Sequence, residues 1–211
     1  MPSLADIERI LRRSPVMPIV VIEEPAIAPD LARALLRGGL RTIEVTLRTA
    51  RALSAIEAIA HDVPDIAVGA GTVLSVEALR AAANAGATFA VSPGATPALL
   101  EAGVHAPIPY LPAIASASEL MQGLTHGYHC FKLFPAAPAG GTALLKAFAG
   151  PFPQARFCPT GGITQETVGS YLALSNVLCA GGSWLSPTEA LAARDWQRIE
   201  TLAAQAAASR T

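Results

Sequence analysis

Lysine is scarce in this sequence, and one of the two lysines stands in an apolar segment typical of a β-strand. The chain has only Lys132 and Lys146, against thirteen arginines, and Lys132 lies near the carboxyl end of residues 128–135, which read YHCFKLFP. Desolvation disfavours the charged form of an amine, and the neutral form attacks ketones. Because Lys146 lies in a helical segment and is expected at the surface, Lys132 is the candidate Schiff-base former. A lysine that reaches the rim or pairs with a carboxylate is the alternative interpretation.

A second strand segment carries polar side chains on one of its two faces. Residues 41–49 read RTIEVTLRT, and the two-residue period of a strand places Glu44, Thr46 and Arg48 opposite Ile43 and Val45. Charged groups are costly to bury unless they are paired or solvated. The pattern therefore predicts either an interior ion pair or a polar ligand pocket. We favour the pocket, because Arg48 lies at the carboxyl end of the strand.

Two glycine pairs follow the last two predicted strands. They are Gly161-Gly162 and Gly181-Gly182, and each leads towards a predicted helix. Glycine lets backbone N–H groups approach an anion, and the start of the following helix adds a favourable dipole. Together the pairs predict a phosphate site, with tight structural turns as the alternative.

The elements that position these residues alternate regularly along the chain. Short β-type runs are separated by segments of helical period, which is the pattern of repeated β-α units. We expect one domain over residues 1–211, of α/β class, forming a (β/α)8 TIM barrel with an extra N-terminal helix at residues 4–12. A doubly wound open sheet is the alternative architecture, but it would bring the carboxyl ends of the site-bearing strands together less well than a closed barrel. Gly38-Gly39, Gly86 and Gly103 follow predicted helices and are expected to end them. The predicted strands are residues 16–22, 41–48, 66–69, 89–91, 109–113, 128–133, 155–158 and 176–179.

Composition excludes several classes of function. The net charge is −1 and no long basic block is present, so we expect no nucleic-acid partner. The apolar runs are shorter than a membrane span requires, and the first residues lack the pattern of a secretory signal, so we expect a cytoplasmic protein without a membrane partner. The three cysteines are far apart and the four histidines have no ligand spacing, so we expect no metal and no cofactor.

Six ordered motifs between residues 15 and 185 give the chain a specific resemblance. It resembles the 2-dehydro-3-deoxy-6-phosphogluconate (KDPG) aldolases, which are also 4-hydroxy-2-oxoglutarate aldolases. The resemblance implies a homotrimeric, metal-independent lyase of the Entner–Doudoroff pathway, which cleaves KDPG reversibly to pyruvate and glyceraldehyde 3-phosphate. The motifs are Glu44-Val45-Thr46-Leu47-Arg48-Thr49, Gly69-Ala70-Gly71-Thr72-Val73, Ser92-Pro93-Gly94, Phe131-Lys132-Leu133-Phe134-Pro135, Cys158-Pro159-Thr160-Gly161-Gly162-Ile163 and Gly181-Gly182-Ser183-Trp184-Leu185.

The same resemblance implies a role for each matching residue. Lys132 would form the Schiff base with the C2 ketone, and Glu44 would be the acid and base that moves protons. The substrate would be bound by Arg48 at its carboxylate, with Thr72 beside it, by Pro93 and Phe134 around pyruvate, by Thr160 at a hydroxyl, and by Gly161, Gly162 and Ser183 at the phosphate. Residues 136–139 are AAPA, where the family pattern has an acidic residue.

Three alternative functions remain open from the sequence. Aldolases for the galactonate epimer or for 4-hydroxy-2-oxoglutarate share the same pyruvate site, although the Thr160 hydroxyl favours the gluconate compound. A metal-dependent aldolase is disfavoured by the spacing of the histidines. A barrel that binds a sugar phosphate without turning it over would have no use for Lys132 and Glu44 together.

Overall fold

The computed structural model describes residues 4–209 and has an α/β fold in which short parallel strands alternate with helices. The strands are β1 (Val16–Val20), β2 (Thr42–Thr46), β3 (Ala67–Gly71), β4 (Phe89–Val91), β5 (Tyr110–Leu111), β6 (Ala113–Ile114), β7 (Cys130–Leu133), β8 (Arg156–Pro159) and β9 (Ala180–Gly182). The helices are α1 (Leu4–Leu11), α2 (Ala28–Arg37), α3 (Ala52–Asp62), α4 (Val76–Asn84), α5 (Pro97–Val104), α6 (Ala117–Thr125), α7 (Gly141–Ala149), α8 (Val168–Leu172), α9 (Thr188–Ala193) and α10 (Trp196–Ala207), and a 3-10 turn spans Pro25–Ile27.

The strands form a curled, parallel arrangement. One sheet has the order β5-β4-β3-β2-β1-β9, and a second has the order β6-β7-β8. Two isolated parallel bridges, Phe157 with Val177 and Thr160 with Gly181, connect the β8 side to the chain around β9. Because all the ladders are parallel, the carboxyl ends of the strands lie at the same edge.

Two predicted strands differ from the structure in more than the position of their ends. The fifth is interrupted at Pro112, which has no N–H to donate. The chain therefore pairs with β4 through β5 and with β7 through β6. The Pro112 carbonyl still accepts a hydrogen bond from the Lys132 N–H at 2.9 Å. The prediction of an eighth strand at residues 176–179 is wrong, because only Val177 bridges β8 there and the regular ladder begins at Ala180, opposite Val16 of β1.

Side-chain hydroxyls start several helices, and glycines in the left-handed conformation follow the ends of others. The hydroxyls of Ser75 and Thr96 accept N–H groups of the first turns of α4 and α5, which satisfies donors that a helix start leaves open. Gly39 and Gly86 follow helices with φ values of 92° and 86°, as predicted for left-handed closing residues. The prediction for Gly103 is wrong: it lies within α5, where an added Cβ would meet the Tyr110 ring at 2.3 Å.

The interior has a separate apolar cluster towards the amino ends of the strands. Ile7 and Leu11 of α1 are buried there, at 2% and 1% exposure. Phe89 and Leu111 contribute from β4 and β5. The outward-facing residues of the strands, such as Val45, belong to the larger core between strands and helices.

The part of the chain that the structure describes has no helix that is both long and apolar enough to cross a membrane.

Candidate functional site

Lys132 and Glu44 meet in the interior near the carboxyl ends of their strands. The Lys132 Nζ atom donates to Glu44 Oε1 at 3.2 Å, and the two side chains are only 5% and 1% exposed. Lys132 stands on β7 between β6 and β8, opposite Ala113 and Cys158. Lys132 therefore does not reach the rim, but it does pair with a carboxylate, as the alternative interpretation of its sequence context allowed.

The second carboxylate oxygen of Glu44 makes no hydrogen bond. Oε2 is buried, and no partner for it lies among residues 4–209. A buried acceptor without a partner is unfavourable, so this atom is suited to receive a proton or a ligand hydroxyl. Thr46, two residues further along the same face, donates instead to the Val20 carbonyl at 3.1 Å.

A cavity of about 390 Å³ opens above this pair. Its lining includes Lys132, Glu44 and every residue that the sequence predicted at the carboxylate and pyruvate end of the substrate. Two further residues, Ile19 and Thr46, were not among the predicted site residues, although both lie on the inward face that strand alternation gives to β1 and β2. The lining residues are Ile19, Glu44, Thr46, Arg48, Thr72, Pro93, Lys132, Phe134 and Thr160.

Arg48 is exposed, and it is not the ionic partner of Glu44. None of the ion pairs found among the described residues involves Arg48. The strand ends at Thr46, and the following turn carries Arg48 out to the mouth of the cavity. The alternative of an interior Glu44–Arg48 pair is therefore wrong, and the guanidinium is available to an anionic ligand.

Three features shape the cavity wall. Thr72 has a φ of 57°, which is rare for a β-branched residue and is found where the surrounding structure requires it. The ring of Phe134 lies with its centroid 5.3 Å from Lys132 Nζ. The Thr160 hydroxyl is buried without a hydrogen-bond partner among the described residues, so a ligand hydroxyl could satisfy it.

The predicted phosphate residues lie beside this cavity and not in its lining. Gly161 and Gly162 have φ values of 100° and 75°, a conformation that favours glycine. An added Cβ on Gly162 would meet the Ala137 Cβ at 2.7 Å, so the pair packs closely against the loop that follows Lys132. Ser183 is exposed directly after β9.

One of the two helix starts lies later than predicted: α8 begins four residues after the predicted start near Thr164, whereas α9 begins next to its predicted start near Pro187. A turn separates Gly162 from α8, which begins only at Val168, and α9 begins at Thr188. Both helices are short, at five and six residues. Backbone N–H groups of the glycine loops are therefore better placed than a helix dipole to bind an anion near Thr160.

A different group of polar residues lies towards the amino ends of the strands. Ligand atoms of Glu8, His129 and Cys130 lie within 4.8 Å of one another, although the sequence showed no such spacing. Hydrogen bonds from the Arg12 guanidinium lower the pKa of Glu8. Burial, and then the nearby Glu8 charge, raise the pKa of the Cys130 thiol to about 12. None of these three residues lines the cavity, and the Cys130 thiol is protonated at neutral pH.

A buried amine beside a carboxylate, in a cavity at the carboxyl ends of parallel strands, is the site of an enzyme that attacks carbonyl compounds through lysine. Comparisons with known proteins give the family. A family model for KDPG and KHG aldolase matches residues 7–202. The chain belongs to this family.

Individual relatives match over nearly the whole chain. A 2-dehydro-3-deoxy-phosphogluconate aldolase of Pseudoalteromonas atlantica is 51% identical over 199 residues, covering 94% of this chain and 93% of the relative. A KHG/KDPG aldolase of Escherichia coli K12 shows the same 51% identity and the same 94% and 93% coverage. The crystal structure of KDPG aldolase from Legionella pneumophila, with pyruvate captured as a covalent carbinolamine intermediate, has a TM-score of 0.93 at 47% identity and covers 95% of this chain and 98% of that one.

Proposed function

We propose that this chain cleaves 2-dehydro-3-deoxy-6-phosphogluconate to pyruvate and glyceraldehyde 3-phosphate, reversibly, through a Schiff base on Lys132. The observation that carries the proposal is the 3.2 Å contact between Lys132 Nζ and Glu44 Oε1 in the lined cavity. The names of the curated relatives support the substrate, and the covalent pyruvate adduct of the Legionella enzyme supports the type of chemistry.

The pair can perform each proton transfer of the reaction. The Lys132 amine adds to the C2 ketone, and Glu44 gives a proton to the oxygen that leaves as water. The resulting protonated imine accepts the electron pair of the C3–C4 bond when a base removes the C4 hydroxyl proton. The aldehyde departs, the enamine is protonated at C3, and water releases pyruvate and the free amine. The unpartnered Glu44 Oε2 is the oxygen that would take and return these protons.

The remaining cavity residues would hold the pyruvate part of the substrate. Arg48 would bind the carboxylate with two parallel hydrogen bonds, which fixes the ketone against Lys132. Thr72 would add a polar contact beside it, while Pro93 and Phe134 would close the apolar sides. The exposure of Arg48 and its lack of an ion pair among the described residues support this role.

The other end of the cavity would hold the phosphorylated part. Thr160 would pair with a hydroxyl of the sugar chain, and Gly161, Gly162 and Ser183 would bind the phosphate. The buried, unpartnered Thr160 hydroxyl favours a substrate with a hydroxyl at this point. Aldol cleavage of the galactonate epimer or of unphosphorylated 4-hydroxy-2-oxoglutarate remains the second candidate, and the double name of the E. coli relative supports the latter.

The wider architecture also belongs to the proposal. We infer that the two sheets close into one (β/α)8 barrel, with α1 as an additional N-terminal helix, and that residues 1–211 form a single domain. The isolated bridges beside β9 and the burial of Ile7 support closure. The family resemblance supports a cytoplasmic homotrimer that needs no metal or cofactor. Exposed Leu74 and Met121, at 67% and 58%, offer apolar surface for such contacts.

Trapping of the imine tests this function directly. Borohydride added in the presence of pyruvate should modify one lysine, and peptide mass spectrometry should locate it at Lys132. Lys132→Ala should abolish both the adduct and the cleavage, with a loss of several orders of magnitude. Lys146→Ala is the matched control, because Lys146 is exposed on α7. An adduct on Lys146 alone, or turnover near wild type in folded Lys132→Ala, would refute the Schiff-base proposal.

A further inference from the structure

Gly71, the last residue of β3, lies against the side chain of Glu44. A Cβ atom added to Gly71 would lie 2.1 Å from Glu44 Oε1, 2.6 Å from its Cγ and 2.7 Å from its Cδ. These are the three nearest atoms, and all belong to one side chain. The backbone φ of Gly71 is not in the left-handed region, so glycine is required here for space and not for conformation.

We propose that Gly71 is a positioning residue for proton transfer: its missing side chain provides the space in which Glu44 reaches Lys132. The inference rests on the proposed role of Glu44 as acid and base. With hydrogen at this position, Oε1 lies 3.2 Å from Lys132 Nζ and Oε2 stays free of protein partners among residues 4–209.

The neighbouring glycine shows why Glu44 has little room to move away from an added methyl group. Gly69 stands opposite Glu44 in the β2–β3 ladder and opposite Phe89 in the β3–β4 ladder. A Cβ on Gly69 would meet the Phe89 ring at 2.3 Å, so the space on that side is filled by an aromatic ring. Glu44 would therefore have to move towards the cavity or change rotamer.

The expected size of the effect follows from the contact distance. Non-bonded carbon atoms need about 3.5 Å or more, so the carboxylate must move by about 1 Å or more from its present position. A displacement of about 1 Å in a catalytic group can cost about 10²-fold in rate. The loss should fall on kcat, because the proposed carboxylate anchor Arg48 is not among the nearest contacts of Gly71.

Gly71→Ala, compared with two matched glycine variants, tests the proposal. We expect Gly71→Ala to lower kcat for KDPG cleavage about 10²-fold with KM changed less than threefold. Gly69→Ala, on the same face of β3, should lower the melting temperature through Phe89. Gly169→Ala should match wild type, because nothing lies within 4 Å of an added Cβ there.

Combination with Glu44 variants separates positioning from general damage. In a Glu44→Gln background, Gly71→Ala should cost little further kcat, since the group that it displaces no longer transfers protons. In a Glu44→Ala background, Gly71→Ala should not lower the melting temperature, because the colliding atoms are gone. The melting temperature in the Glu44→Ala background tests the collision between an added Cβ and Glu44 even if Gly71→Ala alone does not fold.

The outcomes distinguish this inference from the proposed function. Wild-type kcat in folded Gly71→Ala, or losses that simply add to those of Glu44→Gln, would overturn the positioning role while borohydride trapping at Lys132 stands. An equal loss of melting temperature in the Glu44→Ala background would overturn the steric coupling. Absence of a Lys132 adduct in the wild-type enzyme would instead overturn the proposed function.

Discussion

Replacing Glu44 by glutamine removes a proton-transfer group while keeping its shape. The carboxylate lies 3.2 Å from Lys132 Nζ, and opposite charges at that distance attract by about 5 kcal/mol at an effective dielectric constant of about 20. The cost of burying both ions offsets most of this attraction. Because the amide oxygen of glutamine can still accept from Lys132, we expect the free energy of unfolding to fall by only about 1–3 kcal/mol.

The catalytic effect of Glu44→Gln should be larger than its effect on stability. General acid–base catalysis contributes about 10²–10⁴-fold, which corresponds to about 3–5 kcal/mol of activation free energy. A domain that is stable by about 5–15 kcal/mol remains folded after losing 1–3 kcal/mol, so unfolding cannot imitate the loss of kcat. The assay is single-turnover cleavage of KDPG beside a thermal melt, with each kcat corrected for the folded fraction. Activity that falls only in proportion to folded protein would mean that the pair is structural, and the assignment of Glu44 would be withdrawn.

Other predictions follow from burial and charge. Arg48→Ala should raise KM for pyruvate-type ligands about 10–100-fold, the scale of a charge-assisted hydrogen bond, with an almost unchanged melting temperature since Arg48 is exposed; a large fall in melting temperature would contradict its role as an anchor. EDTA should leave the activity unchanged, and a loss that a divalent ion restores would favour metal-dependent chemistry. A thiol reagent at pH 8 should label none of the three buried cysteines in the native protein and all three in guanidinium. Burial raises the pKa of Cys130 to about 12, so rapid native labelling there would show that the strand ends open.

Much of the site was predictable because strand alternation is a local property. The period of two correctly placed Glu44 inward and Val45 outward, and the apolar context of Lys132 correctly predicted its burial. What alternation cannot give is the partner of each charge. The only ion pair that the pattern offered for Glu44 was with Arg48, whereas its ionic partner in the structure, Lys132 on β7, is 88 residues away in sequence.

The parts of the fold that sequence patterns missed depend on contacts between distant segments. Pro112 interrupts the fifth strand because it has no N–H to donate, and the segments before and after it pair with different strands, β4 and β7. The last strand starts at Ala180, later than predicted, because its ladder partner is β1 at the other end of the chain. Gly103 has the local pattern of a helix end, yet it is needed inside α5 for the Tyr110 ring. For the last strand and for Gly103, the local pattern was correct for an isolated segment, and packing decided otherwise.

The interior residues of two strands show how stability and chemistry are separated. On β7, Cys130 belongs to the apolar cluster with Ile7 and Leu11, whereas Lys132, two residues later on the same face, lines the cavity. Cys158 on β8 and Thr160, the residue directly after β8, divide in the same way. Residues two apart on a strand point to the same side. On that inward side, the change from apolar to polar side chains therefore happens between one inward-facing residue and the next. The apolar cluster can therefore hold the strands together without water. The polar cavity lining, directly above this cluster, keeps charged groups accessible to a ligand.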